Sequence, residues 1–127
     1  MTKPGRVRIL QKGQQATVYA LETVAGDSPA HDFLGGLDVN GQTGFKSRLE
    51  VLASQGYLRS PEYMRELSTS GRPKVFEIKV DKGPGYRLYV IRHHRNWVAT
   101  HGGTKPKKRS VAVEADLARR LFEEWKQ

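Results

Sequence analysis

The sequence predicts an α+β domain in which a small antiparallel sheet packs against helices. Three features of the 127-residue chain favour this class. Apolar residues recur at helical spacing over residues 29–55, alternate with polar residues over 75–101, and return to helical spacing after residue 113. Strands and helices grouped in separate parts of a chain are typical of α+β proteins. We expect an N-terminal strand plus a three-strand meander, packed against two helices, with a C-terminal helix.

The N-terminal segment contains two β-prone stretches, residues 7–10 and 17–21, on either side of a polar stretch with a glycine. The two stretches form either a hairpin or one tail and one strand. We therefore divide the chain into an N-terminal extension or extra strand, residues 1–15, and a single domain, residues 16–127.

Two helices are predicted next along the chain. Ser28, a capping residue, followed by Pro29 is typical of a helix start. Residues 38–44 are polar and glycine-rich, and we expect them to form a loop. Residues 45–55 predict the second helix, with Gly56 as its C-terminal stop.

The stretch from residue 75 to residue 101 predicts three short antiparallel strands. Turn-forming residues at 81–85 and 92–96 divide the stretch. In the first two strands the apolar residues at alternate positions face the core. The same alternation directs Lys79 and Arg87 together to the opposite face, which we expect to be open because the helices cover only one face.

The C-terminal region predicts a loop and then a helix. Residues 105–109 are too charged, and too interrupted by proline, for a strand. A last amphipathic helix begins near Val113. Its apolar stripe comprises Leu117, Ala118, Leu121, Phe122 and Trp125.

The positive charge of the chain is concentrated in one segment. The formal net charge is +9, and residues 72–109 contain eleven basic side chains against two acidic ones. A basic excess interleaved with aromatic residues is typical of a surface that binds phosphates. The alternative is a surface that only keeps the protein soluble. An anionic membrane is less favoured, because the basic residues lie on strand-like sequence.

The composition excludes several function classes. The chain has no cysteine, and so no disulfide, no thiolate nucleophile and no Cys-ligated zinc. Its start lacks the apolar stretch of a signal peptide, and no apolar run approaches the ~18–20 residues of a membrane span. We expect a soluble, cytoplasmic protein without membrane contact.

Several stretches in a fixed order carry a family resemblance. They are the helical pair with Leu49, Leu52 and Gly56, then Val75-Phe-Glu-Ile-Lys, then Tyr86-Arg-Leu-Tyr-Val, then Trp97-Val-Ala-Thr-His-Gly-Gly-Thr-Lys, and a helix containing Ala115. In order and spacing, residues 16–125 resemble the RelE/HigB toxin superfamily, most closely its phage-derived HigB-like branch.

The resemblance implies the toxin of a type II toxin–antitoxin pair with a RelE-like fold. Such toxins commonly cleave mRNA on the ribosome without a metal or cofactor, leaving a 2′,3′-cyclic phosphate. Their partners are the mRNA, the ribosome and a small antitoxin protein, here expected to contain a helix-turn-helix.

The family pattern also suggests site residues. Where the family pattern usually has Arg in the first meander strand, this chain has Lys79. The Arg of the second strand is matched by Arg87. The third strand of the family often ends in a short segment that is matched here by residues His101 to Lys105. The chain departs from the pattern at Gly103, where an aromatic or other large residue is usual.

The candidate catalytic residues are Arg87, His101 and Lys79. RNA cleavage needs a base, an acid and positive charge on the phosphate. Arg87 and Lys79 supply the charge, and the ordinary pKa of histidine, about 6.5, suits His101 for proton transfer. The alternatives are that Lys79 and Arg87 are ordinary exposed strand residues, partly paired to Glu77, and that His101 is structural.

Eight further basic residues are candidates for RNA binding. They are Arg72, Lys74, Arg92, Arg95, Lys105, Lys107, Lys108 and Arg109. The run from Lys105 to Arg109 could equally contact an acidic antitoxin segment. Tyr89 and Trp97 fit core packing better than base stacking. His93 and His94 are not expected to bind a metal, because adjacent strand residues point to opposite faces.

A second function class remains open. Gly103, which replaces a bulky residue of the family, is compatible with a ParE-like inhibitor of DNA gyrase. It is equally compatible with a phage-derived protein that binds nucleic acid or an antitoxin without cleaving RNA.

Overall fold

The computed structural model describes residues 5–127, so the first four residues of the predicted extension lie outside it. These residues form six strands and three helices. The strands are β1 (Val7–Lys12), β2 (Thr17–Leu21), β3 (Met64–Glu66), β4 (Phe76–Val80), β5 (Tyr86–His93) and β6 (Asn96–Thr104). The helices are α1 (Pro29–Gly35), α2 (Val39–Gln55) and α3 (Val111–Lys126), and a short 3₁₀ turn at Lys108–Ser110 precedes α3.

The six strands form one mixed sheet in the order β1-β2-β6-β5-β4-β3. The α+β class and the three-strand meander are as predicted. The expectation of a wholly antiparallel sheet is wrong at one place, because β2 pairs with β6 in parallel. Side-chain alternation reveals which residues share a face, but it does not encode strand direction. The short edge strand β3, three residues long, was not predicted.

The N-terminal segment is a hairpin, one of the two arrangements that the sequence left open. β1 and β2 pair antiparallel from Val7 opposite Leu21 to Lys12 opposite Thr17. The extra strand therefore extends the sheet at its β2 edge, and residues 7–12 belong to the same fold as the rest.

Helices cover both faces of the sheet, whereas the sequence predicted helices on one. α1 and α2 pack on one face, against residues such as Ile78, Leu88 and Ala99. α3 packs on the other face, where Tyr89 and Ile91 lie. The outward positions of β5 are thus apolar too, and burying them requires a second layer. We call these two sides of the sheet the α1/α2 face and the α3 face.

The helix α2 begins at Val39, so the predicted loop at 38–44 is wrong. Asp38 caps the helix by accepting a hydrogen bond from the Gly41 N–H at 2.8 Å. The glycines of this turn allow close packing: a Cβ on Gly44 would stand 2.7 Å from Val80 Cγ1. Gly56 ends α2 with φ of +87°, as predicted. Among residues 5–127 no helix is long and apolar enough to cross a membrane.

Candidate functional site

The α3 face brings the three predicted catalytic residues onto one surface of three neighbouring strands. Arg87 on β5 pairs with Lys79 on β4 and with Gly103 on β6. One step along, Tyr89 pairs with His101. Because side chains on one face recur every two residues, the two rows lie about 7 Å apart on the same face.

This face is not open at Arg87, so the expectation of a guanidinium exposed to solvent is wrong. Arg87 is only 2% exposed. Its Nη1 donates to Asp81 Oδ1 at 2.8 Å and to the Tyr86 carbonyl at 2.9 Å, and its Nε lies 3.7 Å from Glu77 Oε2. The Arg87 guanidinium holds the pKa of Asp81 below its usual value. Strand alternation correctly identified the face but did not reveal these carboxylates or the helix over it.

Glu77 is the buried centre of an ion-pair chain. It is 2% exposed and lies between two cations, with Arg65 Nη2 2.9 Å from its Oε1 and Arg87 on its other oxygen. Arg65 on β3 is half-exposed, so the chain reaches solvent at that end. At the other end the Asp81 side chain is 63% exposed.

Lys79 is half-buried and turns away from Arg87. Its Nζ donates to the Pro61 carbonyl at 3.2 Å, beside the β3 edge. A lysine bound only by one carbonyl can turn toward an anion more easily than a guanidinium held by two carboxylates. Lys79 is therefore the more accessible cation of this row.

His101 is buried, with both ring nitrogens in hydrogen-bond contact. Its Nε2 lies 2.7 Å from Glu114 Oε2, and its Nδ1 lies 3.1 Å from Thr100 Oγ1. Because a carboxylate accepts hydrogen bonds, Nε2 carries the hydrogen. The one hydrogen of the Thr100 hydroxyl is then shared between Nδ1 of the neutral ring and the Tyr89 carbonyl, which lies 3.4 Å from Thr100 Oγ1. Burial lowers the pKa of His101, although the Glu114 carboxylate opposes this effect. The ring is thus neutral near pH 7.

Tyr89 lies under this pair and has an unpartnered hydroxyl. Its ring stacks on His101 with centroids 4.6 Å apart. The hydroxyl is buried and has no hydrogen-bond partner among residues 5–127. Burial raises the pKa of Tyr89, and the Glu114 and Glu77 carboxylates add to the effect. An unpaired buried hydroxyl costs about 1–3 kcal/mol, and native structures retain such groups mostly for a reason.

We call these side chains the sheet-face cluster. Its members are Arg65, Glu77, Lys79, Asp81, Arg87, Tyr89, His101 and Glu114. Three cations and three carboxylates give it no formal net charge when His101 is neutral. The positive charge lies instead on its rim.

The rim is the segment that joins β6 to α3. Lys105, Lys107, Lys108 and Arg109 are all exposed there, between His101 and Glu114 in the chain. The ion pairs formed among residues 5–127 include none of these four side chains. The Lys105 N–H bonds the Gly85 carbonyl at 2.9 Å, which fixes the segment beside the turn that carries Asp81.

The other four predicted RNA-binding residues lie at the opposite end of the sheet. Arg92 is five residues beyond Arg87 on β5, about 17 Å away along the strand. Arg95 is in the β5–β6 turn next to it, and Arg72 and Lys74 precede β4 at the same end. Lys74 pairs with Glu66 at 2.7 Å. The eight basic residues therefore form two surfaces rather than one.

The two glycines of the family-like segment differ. A Cβ on Gly102 would collide with the Phe33 ring at 2.2 Å, so packing requires glycine there. A Cβ on Gly103 would meet no described atom within 4 Å. The fold therefore leaves a Cβ unobstructed at Gly103, the position where the family pattern has a large side chain.

Three carboxylates of the cluster were not predicted as site residues. Glu77 was considered only as an ion-pair partner, and Asp81 only as a turn residue. Glu114 could have been found from the sequence, because it lies four residues before the buried Ala118. A carboxylate on the apolar stripe of α3 indicates a polar partner on the sheet. The predictions for Tyr89 and Trp97 are confirmed, since both are core residues, 1% and 3% exposed.

No cluster of three or more potential metal ligands occurs among residues 5–127. The expectation that His93 and His94 point to opposite faces is wrong, because His94 has a φ of +58° and its ring lies 4.4 Å from that of His93 between centroids. The His93 ring also packs against Phe122 and Trp125. In comparisons with known proteins, no family model and no curated protein matches the chain.

Proposed function

We propose that this protein is the toxin of a type II toxin–antitoxin pair, with a RelE-like fold, that cleaves ribosome-bound mRNA in the cytoplasm without metal or cofactor. The observation that carries the proposal is the grouping of Lys79, Arg87 and His101 on one sheet face, where family-like motifs 22 residues apart converge. The sequence resemblance and the basic rim support it.

The sheet-face cluster offers the chemistry that cleavage within RNA requires. The 2′-oxygen attacks the phosphorus, the bond to the 5′-oxygen breaks, and a 2′,3′-cyclic phosphate and a 5′-hydroxyl form. The proton of the 2′-hydroxyl passes to a base, and an acid gives one to the leaving oxygen. Neutral His101, paired with Glu114, exchanges protons in this scheme, while Arg87 and Lys79 stabilise the charge on the phosphate.

The carboxylates of Asp81 and Glu114 occupy the donors that the substrate needs. Asp81 accepts from Arg87, and Glu114 accepts from His101. The Asp81 side chain is 63% exposed and can turn into water at little cost. Glu114 is 30% exposed and bonded to the buried His101, so it is displaced only when the substrate takes its place on Nε2. An RNA phosphate then takes the place of a carboxylate on the same donors, and the basic rim compensates for the added negative charge.

A second candidate function is supported by the burial of Arg87 and the open space at Gly103. The Arg87 guanidinium is already neutralised by carboxylates, and the chain lacks the bulky residue of the family pattern. Both features are typical of a protein that binds its partner without cleaving RNA. A ParE-like gyrase inhibitor and a phage-derived protein that binds nucleic acid or an antitoxin both belong to this class.

Controlled expression in bacteria separates the two candidates. The proposal expects growth arrest, new mRNA ends within open reading frames, and normal supercoiling by gyrase. A gyrase inhibitor gives the reverse pattern, with inhibited supercoiling and intact mRNA. If expression neither slows growth nor cuts mRNA, the proposed activity is wrong. Co-expression of the small protein encoded beside this chain tests the antitoxin, which should restore growth.

The choice of variant matters for this test. Arg87→Ala leaves the buried Glu77 short of a partner and is expected to destabilise the protein by about 3–5 kcal/mol, so a loss of toxicity could reflect lost stability rather than lost chemistry. Lys79→Gln removes a half-buried cation with one carbonyl contact and should keep the fold. Lys82→Gln, at an exposed position in the next turn, is the matched control.

A further inference from the structure

Tyr57 is an exposed aromatic residue that the proposed catalytic site does not use. Its side chain is 64% exposed although the fold holds both of its neighbours in the chain. Gly56 before it ends α2, and the Gly56 carbonyl accepts a hydrogen bond from Trp97 Nε1 at 3.4 Å. Leu58 after it is buried. The backbone thus holds Tyr57 at a fixed point while its side chain faces solvent.

Three shallow depressions of the surface meet at Tyr57. Their volumes are about 440, 360 and 350 Å³, and Tyr57 lines all three. The basic residues that line them are Arg48, Arg59, Arg92 and Arg95. We call this region the Tyr57 surface. Its Arg92 and Arg95 side lies around the C-terminal end of α2 and the β5–β6 turn, at the end of β5 away from Arg87. Its Arg48 side reaches β4, where Arg48 Nε donates to the Lys79 backbone carbonyl at 3.2 Å.

The charge of the Tyr57 surface is positive. Neither Arg92 nor Arg95 forms an ion pair with a carboxylate of residues 5–127. Of the acidic residues nearby, Glu66 is neutralised by Lys74 and Glu62 faces Arg59 at 3.6 Å. The C-terminal end of α2 adds about half a negative charge, which one guanidinium offsets.

A second aromatic residue of this surface is already stacked by a cation. The guanidinium carbon of Arg48 lies 3.9 Å from the centroid of the Tyr63 ring. Tyr57 has no such cover in the described structure, because its ring is exposed. Tyr57 lines one depression with Arg92 and Arg95, neither of which has a carboxylate partner among the described residues, although Arg92 Nε donates to the His94 carbonyl at 3.3 Å and its guanidinium carbon lies 5.6 Å from the Trp97 ring centroid. This surface offers an exposed stacking face and two cations for phosphates.

We propose that the Tyr57 surface binds single-stranded RNA, with one base stacked on Tyr57 and the flanking phosphates on Arg92 and Arg95. A single strand fits better than a duplex, because only an unpaired base can present its face to an exposed ring. This inference rests on the proposed function for the choice of RNA, and it adds a holding site away from the sheet-face cluster.

The test is fluorescence anisotropy with the full-length protein and a labelled 2′-O-methyl RNA of about twelve nucleotides, within the ~4–16 nucleotides that such surfaces cover. This probe has no free 2′-hydroxyl, so binding is measured without cleavage. Tyr57→Ala should raise Kd about 5- to 100-fold, and Tyr57→Phe should stay within about twofold of wild type, because stacking needs the ring and not the hydroxyl.

The arginines are tested by salt dependence. Arg95→Ala should weaken binding and lower the slope of log K against log salt by about 0.7, the value for one phosphate contact on a single strand. Arg120→Ala removes the same charge from the exposed side of α3 and serves as the matched control, with Kd within about twofold of wild type.

Three results overturn the inference. One is wild-type protein that does not bind the RNA, and another is Tyr57→Ala with unchanged Kd. The third is a Tyr57→Ala variant that loses affinity for an acidic peptide but not for RNA, which would assign the surface to a protein partner. Binding that depends on Tyr57 without any mRNA cleavage would refute only the proposed function. Cleavage with Tyr57-independent binding would refute only this inference.

Discussion

The two faces of the sheet are built from alternate residues of the same strands, yet they differ in chemistry. The α1/α2 face buries an apolar cluster that includes Phe45, Leu52 and Ile78. The α3 face is apolar only under α3, and the buried charged groups of the described residues, Glu77 and Arg87, both lie on it. The difference shows that one face stabilises the domain by apolar packing alone while the other combines apolar packing with buried charged groups.

The largest expected effect is on the α1/α2 face. Phe45 is 1% exposed and makes an edge contact with Phe33 at 5.9 Å between centroids. Phe45→Ala removes this packing and should lower the free energy of unfolding by about 3–5 kcal/mol in urea denaturation. Val24→Ala, at a position 98% exposed, is the control and should change it by less than about 0.5 kcal/mol.

On the α3 face, the expected loss of stability comes from leaving a buried charge without its partner. Arg87→Met leaves Glu77 buried with only the half-exposed Arg65, and should cost about 3 kcal/mol in the same experiment. Adding Glu77→Leu removes the stranded carboxylate and should recover most of the loss. Equal stability of the single and double variants would show that the ion pair is not what holds this face.

The adjacent glycines give a smaller and sharper comparison. Gly102→Ala drives a Cβ into the Phe33 ring and should cost about 1–3 kcal/mol. Gly103→Ala enters open space and should stay within about 0.5 kcal/mol of wild type. Thermal melts of the two variants measure the difference in stability. A large loss of stability in Gly103→Ala would contradict the open space at that position.

The smallest effect is a pH dependence of stability on the α3 face. Burial lowers the pKa of His101, and burial together with His94 and Lys126 lowers the pKa of His93. Below the usual value of about 6.5 the unfolded chain therefore binds more protons than the folded one, and the free energy of unfolding falls as pH falls. Each histidine contributes at most about 1.4 kcal/mol per pH unit.

Urea denaturation at pH 7.5 and 5.5 measures this effect. His101→Gln should reduce the difference in unfolding free energy between the two pH values, because it removes the histidine whose pKa burial lowers. A protein that is equally stable at both values would contradict the lowered pKa. The lowered pKa of Asp81 acts in the same sense but below pH 4, outside this interval.

The sequence predicted the fold best where one periodicity dominates. The meander, the Gly56 stop and the C-terminal helix followed from local pattern. The parallel pairing of β2 with β6 and the second helical layer did not, because both depend on how distant segments meet. The helical start at Val39 was hidden by glycines that serve packing against Val80.

The candidate site was predicted in part. Strand alternation placed Lys79 and Arg87 on one face, and the register confirms this. Alternation could not reveal that Asp81 and Glu114 would reach Arg87 and His101, because those carboxylates come from a turn and from a helix. The basic residues separated into two surfaces because the strand β5 is long enough to keep Arg87 and Arg92 apart.

The most direct test of the central claim, that the sheet-face cluster cleaves RNA, uses purified full-length protein and ribosomes stalled on a defined mRNA. Wild type and Lys82→Gln should produce fragments ending in a 2′,3′-cyclic phosphate and a 5′-hydroxyl. His101→Gln and Lys79→Gln, verified as folded by their melting temperatures, should slow cleavage at least about 100-fold, the scale of one acid–base or electrostatic contribution. Cleavage at the wild-type rate by both folded variants, or none by wild type, would contradict the claim.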